Sequence, residues 1–172
     1  SGARIHIYNN TITNCGDEGI YISAYPDSNA YYYLKNNIIN NSSSSDYWYD
    51  FNGNLTFEHS DNISSDDTSP DPNFQNKSVD FVSTASGTED FHLASTDTAA
   101  KDAGVDLSDD PYINFSDDID GSERDLDGSG WDIGADELAT KIYRSVGNTS
   151  DDLSNGGTVT ISSSTRTATF ST

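Results

Sequence analysis

Ile7-Tyr-Asn-Asn-Thr-Ile-Thr-Asn14 and Leu34-Lys-Asn-Asn-Ile-Ile-Asn-Asn41 are two copies of one pattern, 27 residues apart. A weaker third copy runs from Phe57 to Ser64 and sets Ile63 under Ile39 at an offset of 24. Each copy holds an alternating strand, an Asn-rich corner and a buried Ile. Between copies lies a further alternating segment, Gly19-Ile-Tyr-Ile22 in the first and Asp46-Tyr-Trp-Tyr49 in the second. Apolar spacing of two with Asn, Thr and Tyr dominant is unsuited to an α-helix. Self-similarity with a period in the twenties, carried by short strands, predicts a solenoid with one turn per repeat.

Stacked turns put like residues above one another. Asn9 over Asn36 and Asn10 over Asn37 are expected to form ladders, each amide donating to one neighbour and accepting from the other; the plainer alternative is that Asn-Asn only marks turns. Period-two alternation assigns faces. Ile5, Ile7, Ile20, Ile22, Tyr32, Leu34, Tyr47 and Tyr49 are expected inward, and His6, Tyr21, Tyr33, Lys35 and Trp48 outward, with Tyr21 beneath Trp48. Three turns bury too little to stand alone, so more coils are expected before residue 1. The opening Ser1-Gly2-Ala-Arg4, without Met or a signal-like segment, reads the same way, as part of something longer.

The 172 residues carry 29 acids against 8 bases, a formal charge of -21. The charge is uneven: residues 1–60 hold 6 acids and 2 bases, 61–137 hold 21 and 3, and 138–172 hold 2 and 3. Such a balance repels phosphates and excludes a nucleic-acid grip; no apolar run is long enough for a membrane span, so membrane insertion is not expected. The acidic middle could be a solvated tail, but Asp90-Phe-His-Leu93, Pro111-Tyr-Ile113 and Trp131-Asp-Ile-Gly134 look like docking points, and an ordered, loop-rich segment is expected. Three regions follow: 1–65 as β-helix coils, 66–137 as their acidic closing segment, and 138–172 as a β extension or the start of a further β domain.

These motifs resemble a known architecture. Residues 4–65 are similar to the right-handed parallel β-helix (pectate-lyase-like) proteins of bacterial and archaeal surfaces. Asp90-Phe-His-Leu93, Lys101-Asp-Ala-Gly104, Asp118-Ile-Asp-Gly121 with Arg124, and Trp131-Asp-Ile-Gly-Ala-Asp-Glu137 resemble the piece that closes such solenoids near their C-terminus. One departure is Thr98-Ala-Ala-Lys101 where the pattern more often reads Ser-Pro-Ala-Ile. The resemblance implies an all-β fold: the last coils of a right-handed parallel β-helix, a loop-rich C-terminal cap and a short β extension. Its members include polysaccharide lyases, glycosidases, adhesins and surface proteins, so function must be read from the residues.

Asp125-Leu-Asp-Gly-Ser-Gly-Trp-Asp-Ile-Gly-Ala-Asp136 places oxygens where an EF-type loop wraps calcium. Asp125, Asp127, Ser129 and Asp136 are the expected ligands and calcium the expected cofactor; the alternative is an acid–Arg124 network with turn caps. A zinc site has no support in the spacing of one Cys and three separated His (His6, His59, His92), and Cys15 reads as a small buried thiol. Glycoside cleavage requires two carboxyls flanking the bond, yet the expected outward strand positions, His6, Tyr8, Tyr21, Tyr33, Lys35 and Trp48, carry none, and Asp17, Glu18, Asp46 and Asp50 are expected at corners.

Exposed rings stack on sugar faces, which nominates Tyr21, Tyr33 and Trp48 for binding a polysaccharide or surface glycan; the alternative is that they are packed aromatic ladders. Eight Asn-X-Ser/Thr sequons suit an exported protein. Asn54, Asn62, Asn76, Asn114 and Asn148 are the expected acceptors, whereas a ladder residue such as Asn9 is a poor one. In the tail, Lys141–Val146, Gly157–Ser162 and Thr167–Phe170 read as strands around the Asn155-Gly-Gly turn, with self-association through residues 138–172 as one consequence. The expected function is a non-catalytic structural or adhesive module of a larger extracellular or cell-surface protein. Two alternatives stay open: a fragment of a polysaccharide lyase or glycoside hydrolase with its active site on other coils, and a self-assembling extracellular filament subunit.

Overall fold

A computed structural model describes residues 2–24, 29–52, 54–125, 128–138, 158–162 and 167–171. The described residues are all-β, with one short 3-10 turn at Pro72–Phe74 and no α-helix. Eight strands come from the repeats: β1 (Ala3–Tyr8), β2 (Thr11–Thr13), β3 (Ile20–Ala24), β4 (Asn29–Lys35), β5 (Ile38–Asn40), β6 (Tyr47–Phe51), β7 (Asn54–Ser60) and β8 (Ile63–Ser64). They pair in parallel as three sheets, β1-β4-β7, β2-β5-β8 and β3-β6. Within each sheet, like strands of successive repeats lie side by side.

The first two copies are related by 27 residues, as Ile12↔Ile39 and Tyr21↔Trp48 show. The third departs from the expected offset. Ile63 lies beside Ile38 and Ser64 beside Ile39, an offset of 25. The corners fix this register. Asn9, Asn36 and Asp61 all adopt left-handed backbone, with φ of 48°, 55° and 56°, a conformation that Asn and Asp tolerate better than branched residues. Asn14 and Asn41 do the same at the next corner, with φ of 56° and 61°. Aligning Asp61 under Asn36 forces Asn62 under Asn37 and Ile63 under Ile38.

The asparagine ladders are present. Asn36 Nδ2 donates to Asn9 Oδ1 at 3.2 Å, and Asn41 Nδ2 to Asn14 Oδ1 at 2.6 Å. In the longest ladder Asn10 Nδ2 donates to Asn37 Oδ1 at 2.9 Å and Asn37 Nδ2 to Asn62 Oδ1 at 2.8 Å. The same amides reach backbone one repeat earlier, Asn37 Nδ2 to Ile7 O and Asn62 Nδ2 to Leu34 O. Asp71 ends the column, its Oδ2 accepting from the backbone and side-chain nitrogens of Asn62 at 2.9 and 2.8 Å. Buried amides demand partners, and here each rung supplies the next one's.

Two cores flank the short β2-β5-β8 sheet. On one side Ile20, Ile22, Leu34 and Tyr47 pack with Ile7, Tyr32 and Tyr49, all pointed inward by alternation, and with Ile39 and Phe57. Ile5 differs: it is 37% exposed, because no described strand lies on the free side of β1. On the other side Ile38 and Ile63 pack with Val79, Leu93, Ala100 and Ile133 of the acidic segment. That segment is ordered and covers a sheet face. Its strands β9 (Phe81–Ser83) and β10 (Asp90–Leu93) form a small antiparallel pair. Below β6, where a third strand would pair, side chains substitute: Asp46 N donates to Asp66 Oδ2 and Tyr47 N to Thr68 Oγ1, both at 2.9 Å.

Residues 1–141 form one compact unit and 142–172 another. In the second, β11 (Thr158–Ser162) and β12 (Thr167–Ser171) make an antiparallel hairpin. The expected strand at Lys141–Val146 lies outside the described residues.

Candidate functional site

Three places in the first unit bring chemistry-bearing side chains together. The first is the outer face of β3-β6. Tyr21 and Trp48 are register neighbours, exposed by 56% and 51%. Two residues further along the same face are Ser23 and Asp50, also paired in register. The pattern Tyr-Ile-Ser over Trp-Tyr-Asp makes this face: inward Ile22 and Tyr49 anchor the strands, leaving two large rings and two polar groups facing solvent.

Tyr33 requires a correction. It points away from the coil interior as expected, but it is only 3% exposed. Its ring stacks on His6 with centroids 4.5 Å apart and touches Tyr112 at 5.1 Å. The loop carrying Tyr112 is clamped by Lys35 Nζ–Asp110 Oδ2 at 2.8 Å, and the Arg4 guanidinium lies over both Tyr31 and Tyr112. Tyr33 is therefore packed and leaves the sugar-facing set. Cys15, expected buried, is half-buried at its corner and free.

The second place is the Trp131–Glu137 motif. Gly134 lies directly on the repeats: its N donates to Asn36 O at 2.9 Å, its O accepts from Asn9 Nδ2 at 3.1 Å, and Ala135 N donates to Thr11 Oγ1. A Cβ at Gly134, where φ is +105°, would sit 2.6 Å from Ile38 Cδ1. Behind it, Arg124 is buried, giving Nη1 to Glu137 Oε2 at 3.2 Å and Nη2 to the carbonyls of Gly134 and Ala135. Burial lifts the Glu137 carboxyl above its ordinary range and draws the guanidinium below its own. Asp97 Oδ2 caps the amides of Ala99, Ala100 and Lys101, which holds the turn at residues 98–101.

The expected calcium ligands are directed to different partners. Asp125 Oδ1 accepts from Gly130 N inside its own turn, and Ser129 Oγ donates to Asp102 Oδ1 at 2.7 Å. Asp136 Oδ2 accepts from Leu93 N at 2.7 Å, and Asp127 lies outside the described residues.

Asp136 belongs to the third place. The donor atoms of His92, Asp120 and Asp136 all lie within 4.8 Å of one another, the one such group of metal-ligating side chains among the described residues. His92 Nε2 is 3.2 Å from Asp120 Oδ2, and Nδ1 is 2.5 Å from Asp90 Oδ1. The hydrogen bond to Asp90 raises the imidazole pKa against the opposing effect of burial, and burial raises that of Asp136. The sequence hid this group because its members come from three separate segments.

Of the expected glycosylation sites, Asn76 and Asn114 are exposed. Asn62 is corrected: it is fully buried, with its amide committed to the ladder, to Leu34 O and to Asp71. Asn54 begins β7, its side chain outside the description, and Asn148 lies outside the described residues. No described helix is long and apolar enough to cross a membrane. Comparison of the chain with protein-family models, with curated proteins and with solved structures finds no match in any of the three.

Proposed function

We propose that this chain is the right-handed parallel β-helix portion of a larger extracellular or cell-surface protein, with a structural and adhesive role exercised through a glycan-binding face. The observation that carries the reading is the exposed Tyr21–Trp48 pair with Ser23 and Asp50 beside it. Adjacent strands of a parallel sheet lie about 4.8 Å apart, and the two rings they carry here present apolar surface that sugar C–H faces cover. The neighbouring hydroxyl and carboxylate offer one donor and several acceptors to sugar hydroxyls. A rigid, laddered scaffold keeps the rings in place without ordering cost on binding. Surface acidity and accessible sequons at Asn76 and Asn114 support an exported setting.

A polysaccharide-cleaving role has less support. Asp50 and Glu58 are the only acids on the strands of the three parallel sheets, and they belong to different sheets; neither makes the facing pair that hydrolysis requires.

Tryptophan fluorescence tests the binding reading. Of the two tryptophans Trp48 is exposed and Trp131 is 3% exposed. Titration with soluble polysaccharides of differing composition is expected to perturb Trp48 emission saturably for at least one. Tyr21→Ala by the same emission, and Trp48→Ala by titration calorimetry, are expected to weaken that binding at least tenfold with circular dichroism unchanged. Absence of saturable binding across neutral, acidic and amino polysaccharides, or binding untouched by both substitutions, contradicts the proposal.

A further inference from the structure

We propose that His92, Asp120 and Asp136 hold a divalent transition-metal ion of the zinc class, which pins β10, the Asp118–Gly121 turn and the Trp131–Glu137 motif to one another. The site is separate from the aromatic face and does not depend on the glycan reading.

The donor set is one imidazole nitrogen and two carboxylate oxygens, clustered within 4.8 Å. Zinc takes such ligands at about 2.0–2.2 Å, which places donors of a tetrahedral site roughly 3.3–3.6 Å apart. Closing that gap requires a shift of about 1.5 Å or less. Two of the side chains have room to make it, the His92 side chain being 44% and that of Asp120 61% exposed. The third, Asp136, is 7% exposed and fixed by Leu93 N, which leaves its other oxygen for the ion. Water fills the fourth position.

Asp90 makes the set a metal site in kind. A ligating histidine holds its tautomer by donating its other N–H to a carboxylate, and His92 Nδ1 already has that partner in Asp90 Oδ1 at 2.5 Å. Nε2 is thereby the nitrogen that faces Asp120, at 3.2 Å. In the free chain the imidazole ring bridges Asp90 and Asp120; on binding, the ion takes the place of any proton on Nε2, which leaves to solvent. Contrast His59, whose Nδ1 also meets a carboxylate, that of Asp71 at 2.7 Å, but which belongs to no such cluster among the described residues. Nitrogen ligation separates this proposal from a calcium loop, since calcium takes oxygen ligands alone in sets of six to eight.

The charge balance points the same way. Asp118 and Asp120 both bear unfavourably on the Asp136 carboxylate, against the amide of Leu93 and His92. A doubly charged cation relieves that repulsion.

The test is equilibrium dialysis of the full chain, stripped with chelator, against zinc chloride at neutral pH. One tightly bound equivalent is expected, lost or weakened at least a hundredfold in His92→Gln and in Asp120→Asn, and kept in His59→Gln. Both altered side chains are substantially exposed, so folding is checked simply by circular dichroism. Substitution with cobalt is expected to give visible absorption bands of a tetrahedral nitrogen–oxygen site, absent in His92→Gln. No zinc uptake, uptake indifferent to His92, or calcium binding as tightly as zinc would each overturn the proposal.

Discussion

At the scale of single residues, Asn37 carries more of the repeat than any hydrophobic side chain. Its Oδ1 accepts from the backbone and side-chain nitrogens of Asn10, while its Nδ2 serves Asn62 Oδ1 and Ile7 O, and Asn37 itself is wholly buried. Asn37→Ala strands several of these groups at about 1–3 kcal/mol each. Loss of roughly 3 kcal/mol or more in urea unfolding is expected, a large fraction of a domain's total; a loss below about 1 kcal/mol contradicts the ladder's role. Gly134 is the corresponding point in the closing segment. Positive φ and the contact with Ile38 together make Gly134→Ala costly, by about 1–3 kcal/mol from backbone strain alone. Limited proteolysis is expected to cut within residues 66–138 of that variant before the repeats; an unchanged digestion pattern counts against the docking described. Asn76 and Asn114 are expected to take N-glycans in a glycosylating host and Asn62 none, as site-mapped mass spectrometry will read.

At the scale of elements, the loop bearing Asp110 and Tyr112 covers a sheet face, and its hold depends on pH. Burial pushes the Asp110 carboxyl up, but the Lys35 ammonium and the amides of Tyr112 and Ile113 outweigh it and set its pKa below the ordinary value. A depressed carboxylate stabilises the fold above its unfolded pKa of about 3.9, and that contribution is lost as pH falls through the lower folded value. The NMR-detected titration of Asp110 is therefore expected below that of an unperturbed Asp, and Lys35→Met moves it upward. A titration at the ordinary position in the native chain contradicts the clamp. The same loop explains what the sequence concealed. Alternation placed Tyr33 on the outer face, correctly, but its cover comes from residue 112, and no local pattern announces a partner so distant. Repeats were legible because like residues recur at 27. The third copy lies one residue away from the aliphatic match of Ile63 to Ile39, because the left-handed corner at Asp61 sets its register. The His92 group was illegible for a similar reason, its donors lying in three segments that meet only once folded.

At the scale of the whole unit, 1–141 is held by stacking in one direction and covering in the other. Parallel strands of successive repeats supply the first, and the acidic segment, through Ile133, Leu93 and Val79 against Ile38 and Ile63, supplies the second. Despite its charge the acidic stretch is ordered, because carboxylates in it are spent locally: Asp97 caps a turn, Asp66 binds Thr68, and Asp71 ends a ladder. Both parts lean on one arrangement, repeats stacked in parallel with the third at an offset of 25. Nuclear Overhauser contacts in a uniformly labelled chain test it most directly. Contacts linking Ile12 with Ile39, Tyr21 with Trp48, and Ile38 with Ile63 are predicted. Cross-strand contacts of antiparallel pairing among these segments, or Ile63 adjoining Ile39 in place of Ile38, would contradict it.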